Sequence, residues 1–446
     1  SLFHAPRLAP RRSGSQVSLA RHHCLSTPLL GLRIVRPAPN PQPMKSIHLT
    51  NAWHATSGGI ATHYRSLLKE AELTGRHMVM VVPGEHDGIE HGLTTRIHSL
   101  AASPSPFNSA YRSIMPNQWP GIHSRVRQII LDEEPDLIEV CDKYSLHYIA
   151  GAIRKGYFKG LKKRPVLIGL SCERMDENLG VYLTQSSLGK AFAAWYMKWI
   201  YFGFFDHHIA NSNHVAAELR LAARGHVTDR GIWIRPPGID LSSFRPSQRG
   251  QLAHTVLYAG RLAPEKNLQL LIDAFALLPS DFRLLVAGDG IERPALEAAA
   301  SRRFPGRATF FGHLNSKAEL AKLHGNASVF VHTNPAEPFG IAPLEAMASG
   351  LPLVAPNSGG ILTYANSTNA WLIKANAPAF AEAILNTFDP ELRRARISAA
   401  LATAAEYHAT YNPKYFLDMY EQFMQHRLDS QPDFRSTPGT WLGAEI

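Results

Sequence analysis

Acidic residues are missing from positions 1–43 of this 446-residue chain, and charge is sparse throughout, at 18% of residues. The acid-free stretch holds six arginines (Arg7, Arg11, Arg12, Arg21, Arg33 and Arg36); without them 40 bases face 36 acids, and the formal +10 falls to +4. The body of the protein therefore lacks the basic excess of a nucleic-acid-binding surface. Cysteine is scarce: Cys24, Cys141 and Cys172 are too few and too scattered for a disulfide framework or a zinc site, which points to a reducing compartment. No uncharged apolar run reaches the roughly 18 residues of a membrane span. The nearest candidate, 191–205, is broken by Lys198. Disorder is excluded by a hydrophobic content of 45%, enough to build real cores. Neither Gly-x-Gly-x-x-Gly nor Asp-x-Asp occurs where a nucleotide or a metal would need it.

What is present is an alternation of strand and helix patterns. The Arg- and Ser-rich leader 1–43 suits a transit peptide, or a stretch upstream of a start at Met44; in either case it stands outside the fold. Strand-like runs at 44–51, 77–83, 136–141, 166–171 and 208–212 are separated by helix-length segments, with a less regular stretch around Pro104, Pro106 and Pro116. After the turn-rich residues 235–250 the pattern restarts. Apolar runs at 254–260, 282–287, 308–312, 328–332 and 352–356 alternate with helical patterns at 267–278, 291–303, 317–323 and 343–349. Buried runs spaced by helices predict α/β architecture, with parallel sheets covered on both faces. Two such doubly wound, Rossmann-like domains around a linker place a cleft where the carboxyl ends of both sheets face a shared ligand.

Four local features carry chemistry. Glu337-Pro-Phe-Gly-Ile-Ala-Pro-Leu-Glu345 follows a strand and opens a helix. There Gly340 permits close approach, Pro343 suits the first turn and free N–H groups form an anion site. If helical throughout, the two glutamates stand about 12 Å apart along the axis, against roughly 5–5.5 Å for a retaining hydrolase pair. They suit two grips on one long ligand, or equally a capping carboxylate and a solvated helix residue. Arg261 and Lys266, in Gly-Arg-Leu-Ala-Pro-Glu-Lys at a strand end, suit a diphosphate or a solvated loop. Ser57-Gly58-Gly59-Ile60 and Val286-Ala-Gly-Asp-Gly290 are strand-end turns, each weak alone.

Together, in this order, these residues resemble the retaining, nucleotide-sugar-dependent glycosyltransferases of family 4, whose architecture is GT-B, two Rossmann-like domains facing a cleft. The resemblance runs over about 45–428 and is strongest over 254–360, in "LYAGRLAPEKNLQLLIDAF", "LLVAGDG", "FFGHL" and "EPFGIAPLEAMASGLPLVAPNSGG". It implies transfer of a sugar from a nucleotide-diphosphate sugar to an acceptor hydroxyl with retention, with no metal and no other cofactor. Other GT-B enzymes (an epimerase or a phosphorylase) and a non-catalytic nucleotide-sugar binding protein are the alternatives. By resemblance Glu337 holds donor-sugar hydroxyls and Glu345 the ribose, while Phe339, Gly340 and Ile341 offer backbone N–H groups. Arg261 and Lys266 neutralise the leaving diphosphate, and Gly59 approaches from the other domain. Ser171 or Glu173 stands where the family often has a histidine facing the donor sugar. After Gly359-Gly360 the usual Pro-Glu is replaced by Ile361-Leu362.

The resulting domain plan is a basic leader at 1–43, disordered or not native; an N-terminal Rossmann-like acceptor domain at 44–240; a linker at 241–252; a C-terminal nucleotide-sugar domain at 253–411; a helix at 412–428 crossing back; and a flexible tail at 429–446. Two surface features stay open. The basic cluster Arg154, Lys155, Lys159, Lys162, Lys163 and Arg164 suits anionic lipid or a solvated face. The aromatic stretch 191–205 suits a core helix more than a membrane contact. A sugar or lipid-linked acceptor, a cytoplasmic location and peripheral contact with the inner membrane face complete the expectation, with no nucleic-acid partner.

Overall fold

The computed structural model describes residues 44–428 apart from 55–58, 106–110, 122, 183–186, 225–230, 238, 248–253, 315 and 411. The leader 1–43, Ser57, Gly58, the end of the linker and the tail 429–446 lie outside the described residues.

The first sheet collects the apolar runs of the N-terminal half. Its strands and their neighbours are β1 (Lys45–Thr50), β2 (His77–Gly84), β3 (Gly88–His91), β4 (Thr95–Ala101), a small hairpin β5 (Ser103–Pro104) and β6 (Arg112–Ser113), β7 (Leu137–Cys141), β8 (Val166–Ser171), β9 (His207–Ala210) and β10 (Ile232–Ile234). The order is β10-β9-β8-β7-β1-β2-β4-β3, parallel except for the β3 edge, with the hairpin separate. Every residue of β7 and β8 is buried, as a sheet covered on both faces requires. The covering helices are α1 (Gly59–Thr74), α2 (Arg125–Glu133), α3 (His147–Arg154), α4 (Met175–Tyr182), α5 (Ser187–Tyr196) and α6 (Asn213–Ala222). Serines at the ends fix two of them: Ser124 Oγ accepts from Arg127 N–H and Ser212 Oγ from Val215 N–H, the usual N-cap bond.

The second sheet contains β11 (Thr255–Ala259), β12 (Arg283–Ala287), β13 (Ala308–Gly312), β14 (Val329–Val331), β15 (Leu353–Pro356) and β16 (Trp371–Ile373), in the order β13-β12-β11-β14-β15-β16, all parallel. Helices α7 (Leu268–Phe275), α8 (Arg293–Arg303), α9 (Lys317–Asn326), α10 (Ile341–Ala348), α11 (Ala377–Asn386) and α12 (Pro390–Thr410) cover it. The chain reverses its direction of winding between β1 and β7 in one sheet and between β11 and β14 in the other, and the crevices at those points are where doubly wound sheets bind ligands. Both sheets belong to one compact unit.

A last helix, α13 (Pro413–Leu428), buries Phe416, Leu417, Tyr420 and Phe423 among Tyr64, Leu67, Met78, Met80 and Ile168 of the first sheet and its cover. Tyr420 Oη donates to the buried Glu139 at 2.5 Å, Tyr64 Oη donates to the same carboxylate at 2.8 Å, and His48 Nδ1 lies 3.0 Å from it. Burial would raise the Glu139 pKa, but the bonds from His48 and Tyr420 outweigh it and hold it below its ordinary value. Arg76, after α1, adds ion pairs to Asp418 and Glu421.

One sequence expectation is amended and others gain detail. The stretch expected to be less regular contains β4, a seven-residue inner strand. Leu241 and Phe244, placed in the linker, are buried in the second domain's core. Cys141 and Cys172, far apart in sequence, end neighbouring strands with their Sγ atoms 3.9 Å apart as free thiols. Four of the six clustered cations are ion-paired, Arg154 and Arg164 with Asp206, Lys162 with Glu134 and Lys163 with Asp136. Among the described residues no helix is long and apolar enough to cross a membrane.

Candidate active site

The loops that leave β11 and β12 are zipped together by backbone bonds. Gly260 N–H donates to Ala287 O, Leu262 N–H to Asp289 O and Glu292 N–H to Leu262 O. A Cβ on Gly288 would stand 1.8 Å from Gly260 O, at a φ of +138°, so only glycine lets the two loops meet. This gives the Gly-Arg and Gly-Asp-Gly signatures one shared cause: their first role is to shape the crevice. Arg261 and Lys266 project from the resulting loop. Arg261 pairs with Glu265 at 2.9 Å and stays 42% exposed. Its charge also lowers the pKa of His54, behind burial and a backbone bond in effect. His54 follows β1 in the first domain, so the cation acts across the cleft.

Glu337 sits in the loop between β14 and α10, and its carboxylate is buried. Lys266 Nζ donates to its Oε2 at 2.7 Å and Asn334 Nδ2 at 3.1 Å, with His332 Nε2 at 3.4 Å. Burial alone would raise the carboxyl's pKa; the Lys266 ammonium and the converging donors reverse this and bring it down to about 2. Burial also lowers His332, to about 4. At neutral pH the cluster is thus a carboxylate held by an ammonium, beside a neutral imidazole. All the hydrogen bonds described here fall on Oε2, which leaves Oε1 for a ligand. Thr333 Oγ1 donates to Lys266 O at 2.7 Å and ties the two loops into one wall.

Glu345, one turn into α10, has the opposite tuning. Burial pushes its pKa up to about 7, with Lys317 opposing. Two carboxyls of one motif are therefore driven apart, one fixed as an anion and one poised near neutrality. At the head of α10, Gly340 has φ +87° and its carbonyl accepts from Tyr364 Oη at 2.5 Å. Phe339 is buried with its ring centroid 5.3 Å from that of Tyr364, so its side chain supports the loop and only its backbone is available to a ligand. The Gly359-Gly360 pair closes against the same loop: Gly360 N–H donates to Glu337 O at 2.6 Å. Ile361, which replaces the usual proline, is buried.

From the other side, Gly59 begins α1 opposite α10, and a Cβ there would lie 2.8 Å from Ile341 Cδ1. Ser212 Oγ donates to Pro338 O as a second contact between domains. Two helix N-termini thus face one another across the cleft. Each carries the positive end of its dipole and first-turn N–H groups that have no partner within their own helix. Ser171 is fully buried, its Oγ 3.4 Å from Tyr201 Oη, which places it in the core beneath the cleft. Glu173 lies at the cleft end of β8; burial raises its pKa, with Lys143 opposing. Lys143 is itself buried, with Glu218 at 2.6 Å, and Glu218 also accepts from Met175 N–H at 2.7 Å. Asn334, His332 and His54 carry no motif that spacing reveals; the one signal for the first two is their place between an apolar strand and Glu337. Among the described residues no cluster of three or more metal-ligating side chains occurs.

Comparisons with known proteins agree with this geometry. The model for Glycosyltransferase Family 4 matches 57–243, and that for Glycosyl transferases group 1 matches 244–402. A GDP-mannose-dependent alpha-(1-6)-phosphatidylinositol dimannoside mannosyltransferase of Mycobacterium tuberculosis is 27% identical over 369 residues, 79% of this chain and 90% of the relative. A GDP-mannose-dependent alpha-mannosyltransferase of the same organism is 37% identical over 137 residues, 29% of this chain and 34% of the relative. Among solved structures, sucrose-phosphate synthase from Thermosynechococcus elongatus superposes with a TM-score of 0.69 at 21% identity, over 86% of this chain and all of that one. HepE of Anabaena in complex with UDP and glucose gives 0.61 at 19%, over 87% and all of that chain. These two are likenesses of fold. With both halves matched in order and two parallel sheets meeting at a shared cleft, the chain belongs to the GT-B glycosyltransferases of family 4.

Proposed function

We propose that this glycosyltransferase moves a hexosyl group from a nucleoside-diphosphate sugar to an acceptor hydroxyl with retention at the anomeric carbon. The observation that carries this reading is the grip of Lys266 on the anionic Glu337 at the head of α10, with Arg261 on the same loop as Lys266. Lys266 has three N–H bonds and spends one on Glu337, so the others suit diphosphate oxygens. Arg261 adds a second cation from the same loop. Glu337 Oε1 accepts from donor-sugar hydroxyls, Glu345 accepts from the ribose, and the backbone of 339–341 donates to the diphosphate. As the bond from the anomeric carbon to the diphosphate oxygen breaks, the acceptor oxygen bonds that carbon from the same face. The acceptor's proton passes to the departing diphosphate oxygen. The protein supplies position and charge. Two cations and two helix N-termini suit a leaving group stabilised without a metal. Glu173 takes the place near the donor sugar that the sequence left between it and Ser171.

The named activity of the mannosyltransferase relatives makes GDP-mannose the first donor to try, with UDP- and ADP-sugars as controls. A donor at about 100 times its Kd should stabilise the protein by about 2.7 kcal/mol. Transfer onto a sugar or lipid-linked acceptor, followed by NMR of the new anomeric bond, tests the reaction. An inverted product, or donor binding with no turnover on any acceptor, would refute it.

A further inference from the structure

Helix α5 has two apolar faces, and one of them is buried. Ala193, Tyr196 and Met197 turn inward to the core, and Tyr201 follows them through a π-helical turn, Met197–Tyr201. On the other side Leu188 is 78% exposed, Phe192 50%, Trp195 51% and Trp199 50%. Steps of four, three and four residues put these side chains in one row along the helix. The Phe192 and Trp195 rings stand 6.0 Å apart at the middle of the row. Single exposed apolar residues are ordinary, but four large ones in a row mark an interaction surface.

The charges around the ridge state its partner. Residues 187–205 include Lys190 and Lys198 and no acid. Lys198 Nζ lies 4.9 Å from the Trp199 ring centroid, and Lys155 Nζ lies 5.6 Å from that of Phe204. The next acid, Asp206, is already held by Arg154 and Arg164 at 2.7 Å each. A two-fold contact between copies of this chain would set these lysines against their own equivalents. A row of exposed aromatic rings flanked by Lys198, with no acid along the segment, suits instead the boundary between lipid headgroups and acyl chains.

We propose that the Leu188–Trp199 ridge docks this enzyme on an anionic lipid surface, its rings at headgroup depth and the cations Lys155 and Lys198 drawn to the headgroup charges. Helix α4, packed on α5, also touches the Pro264–Lys266 turn, so the ridge stands beside the cleft. Docking itself is independent of the transferase reading; only the added inference, that the acceptor is embedded in that lipid surface, rests on it.

The test uses the full chain and vesicle flotation, with phosphatidylcholine alone or mixed with phosphatidylglycerol. The wild type is expected to float with the mixed vesicles and weakly or not at all with the neutral ones. Phe192→Ser/Trp195→Ser/Trp199→Ser should abolish flotation. Lys155→Gln/Lys198→Gln should weaken binding to the mixed vesicles by about fivefold per lysine and leave neutral vesicles unaffected. Thermal melting and donor binding should stay at wild-type values in both variants, because neither touches the cleft. If the aromatic variant misfolds, quenching of wild-type tryptophan fluorescence by brominated lipid replaces it, with strong quenching expected. Failure of the wild type to float, flotation unchanged by the substitutions, absent quenching, or a dimer that the aromatic variant disperses would overturn the proposal. Loss of donor binding with flotation intact would likewise overturn it, since the ridge would then serve the cleft and not a lipid surface.

Discussion

Glu345 should make the empty enzyme less stable and the loaded enzyme tighter, and Glu345→Gln separates the two effects. Its carboxyl stands at about 7 in the folded chain against an ordinary value of 4.5. The folded state therefore holds this proton more tightly than the unfolded chain does. The penalty grows as pH rises from about 4.5 to about 7 and is constant above that. Fully developed, the gap is worth up to about 3.4 kcal/mol at 1.36 kcal/mol per pKa unit. This is an upper limit, because the side chain is only partly sealed from water. Glutamine keeps the shape and an acceptor but carries no charge. The variant should thus be more stable than wild type by up to about 3 kcal/mol at pH 8.5 and by under about 1 kcal/mol at pH 5. Urea unfolding at the two pH values, with unchanged m, measures it. The same variant should bind the nucleoside diphosphate about tenfold more weakly at pH 8.5, since a neutral acceptor gives up the charge-assisted share of the ribose bonds. Wild-type affinity should fall as pH drops below about 7, where the carboxylate is lost, and the variant should lack that limb. A stability difference equal at both pH values would refute the reasoning. So would full nucleotide affinity in the variant.

Glu337→Gln should cut turnover by about 10²–10³-fold, the scale for one preorganised contact, while nucleoside diphosphate affinity stays within a few-fold; initial rates and calorimetry check both. Lys266→Met should lose tenfold to about a hundredfold in kcat/KM, and it should also move the acid limb of the rate profile upward, because the remaining Glu337 carboxyl loses the cation that holds its pKa at about 2. Arg261→Lys should recover little of the activity lost in Arg261→Ala, since a point charge does not replace a bidentate fork; equal kinetics for the lysine variant and wild type would refute that. Tyr420→Phe should cost about 1–3 kcal/mol of stability by removing a donor from the buried Glu139, with turnover at saturating substrate unchanged, as read by denaturant unfolding and initial rates.

The second domain was the more legible half, for a physical reason. Its strands at 255–259, 329–331 and 353–356 are uniformly buried, so each reads as an apolar run between turn signals. In the first domain β4 escaped notice because two of its buried positions are Thr95 and His98, which break the run that a parallel strand normally shows. The sequence located Glu337, Lys266, Arg261 and Glu345 through their motif, since all four depend on a strand end followed by a helix. It did not indicate that Lys266 grips Glu337, because that contact joins loops 71 positions apart. Nor did it reveal His332, Asn334 or His54, whose places around the candidate site come from the fold alone. The two faces of α5 were legible as one aromatic stretch, but which face is covered is decided by the whole domain.

The returning helix α13 has a consequence for how this protein is made. The bond between Glu139 and Tyr420 spans 281 positions, and Phe416, Leu417 and Phe423 fill the same core. A growing chain leaves the ribosome from its amino end, and a domain usually folds as it emerges. Here the first domain to emerge is the last to be finished. Its core lacks these side chains, and Glu139 lacks one of its donors, until the second domain has been synthesised. Release of nearly the entire chain is thus the step that completes the amino-terminal half, and any nascent fragment that stops short of α13 leaves an apolar seam beside α1 open to other chains.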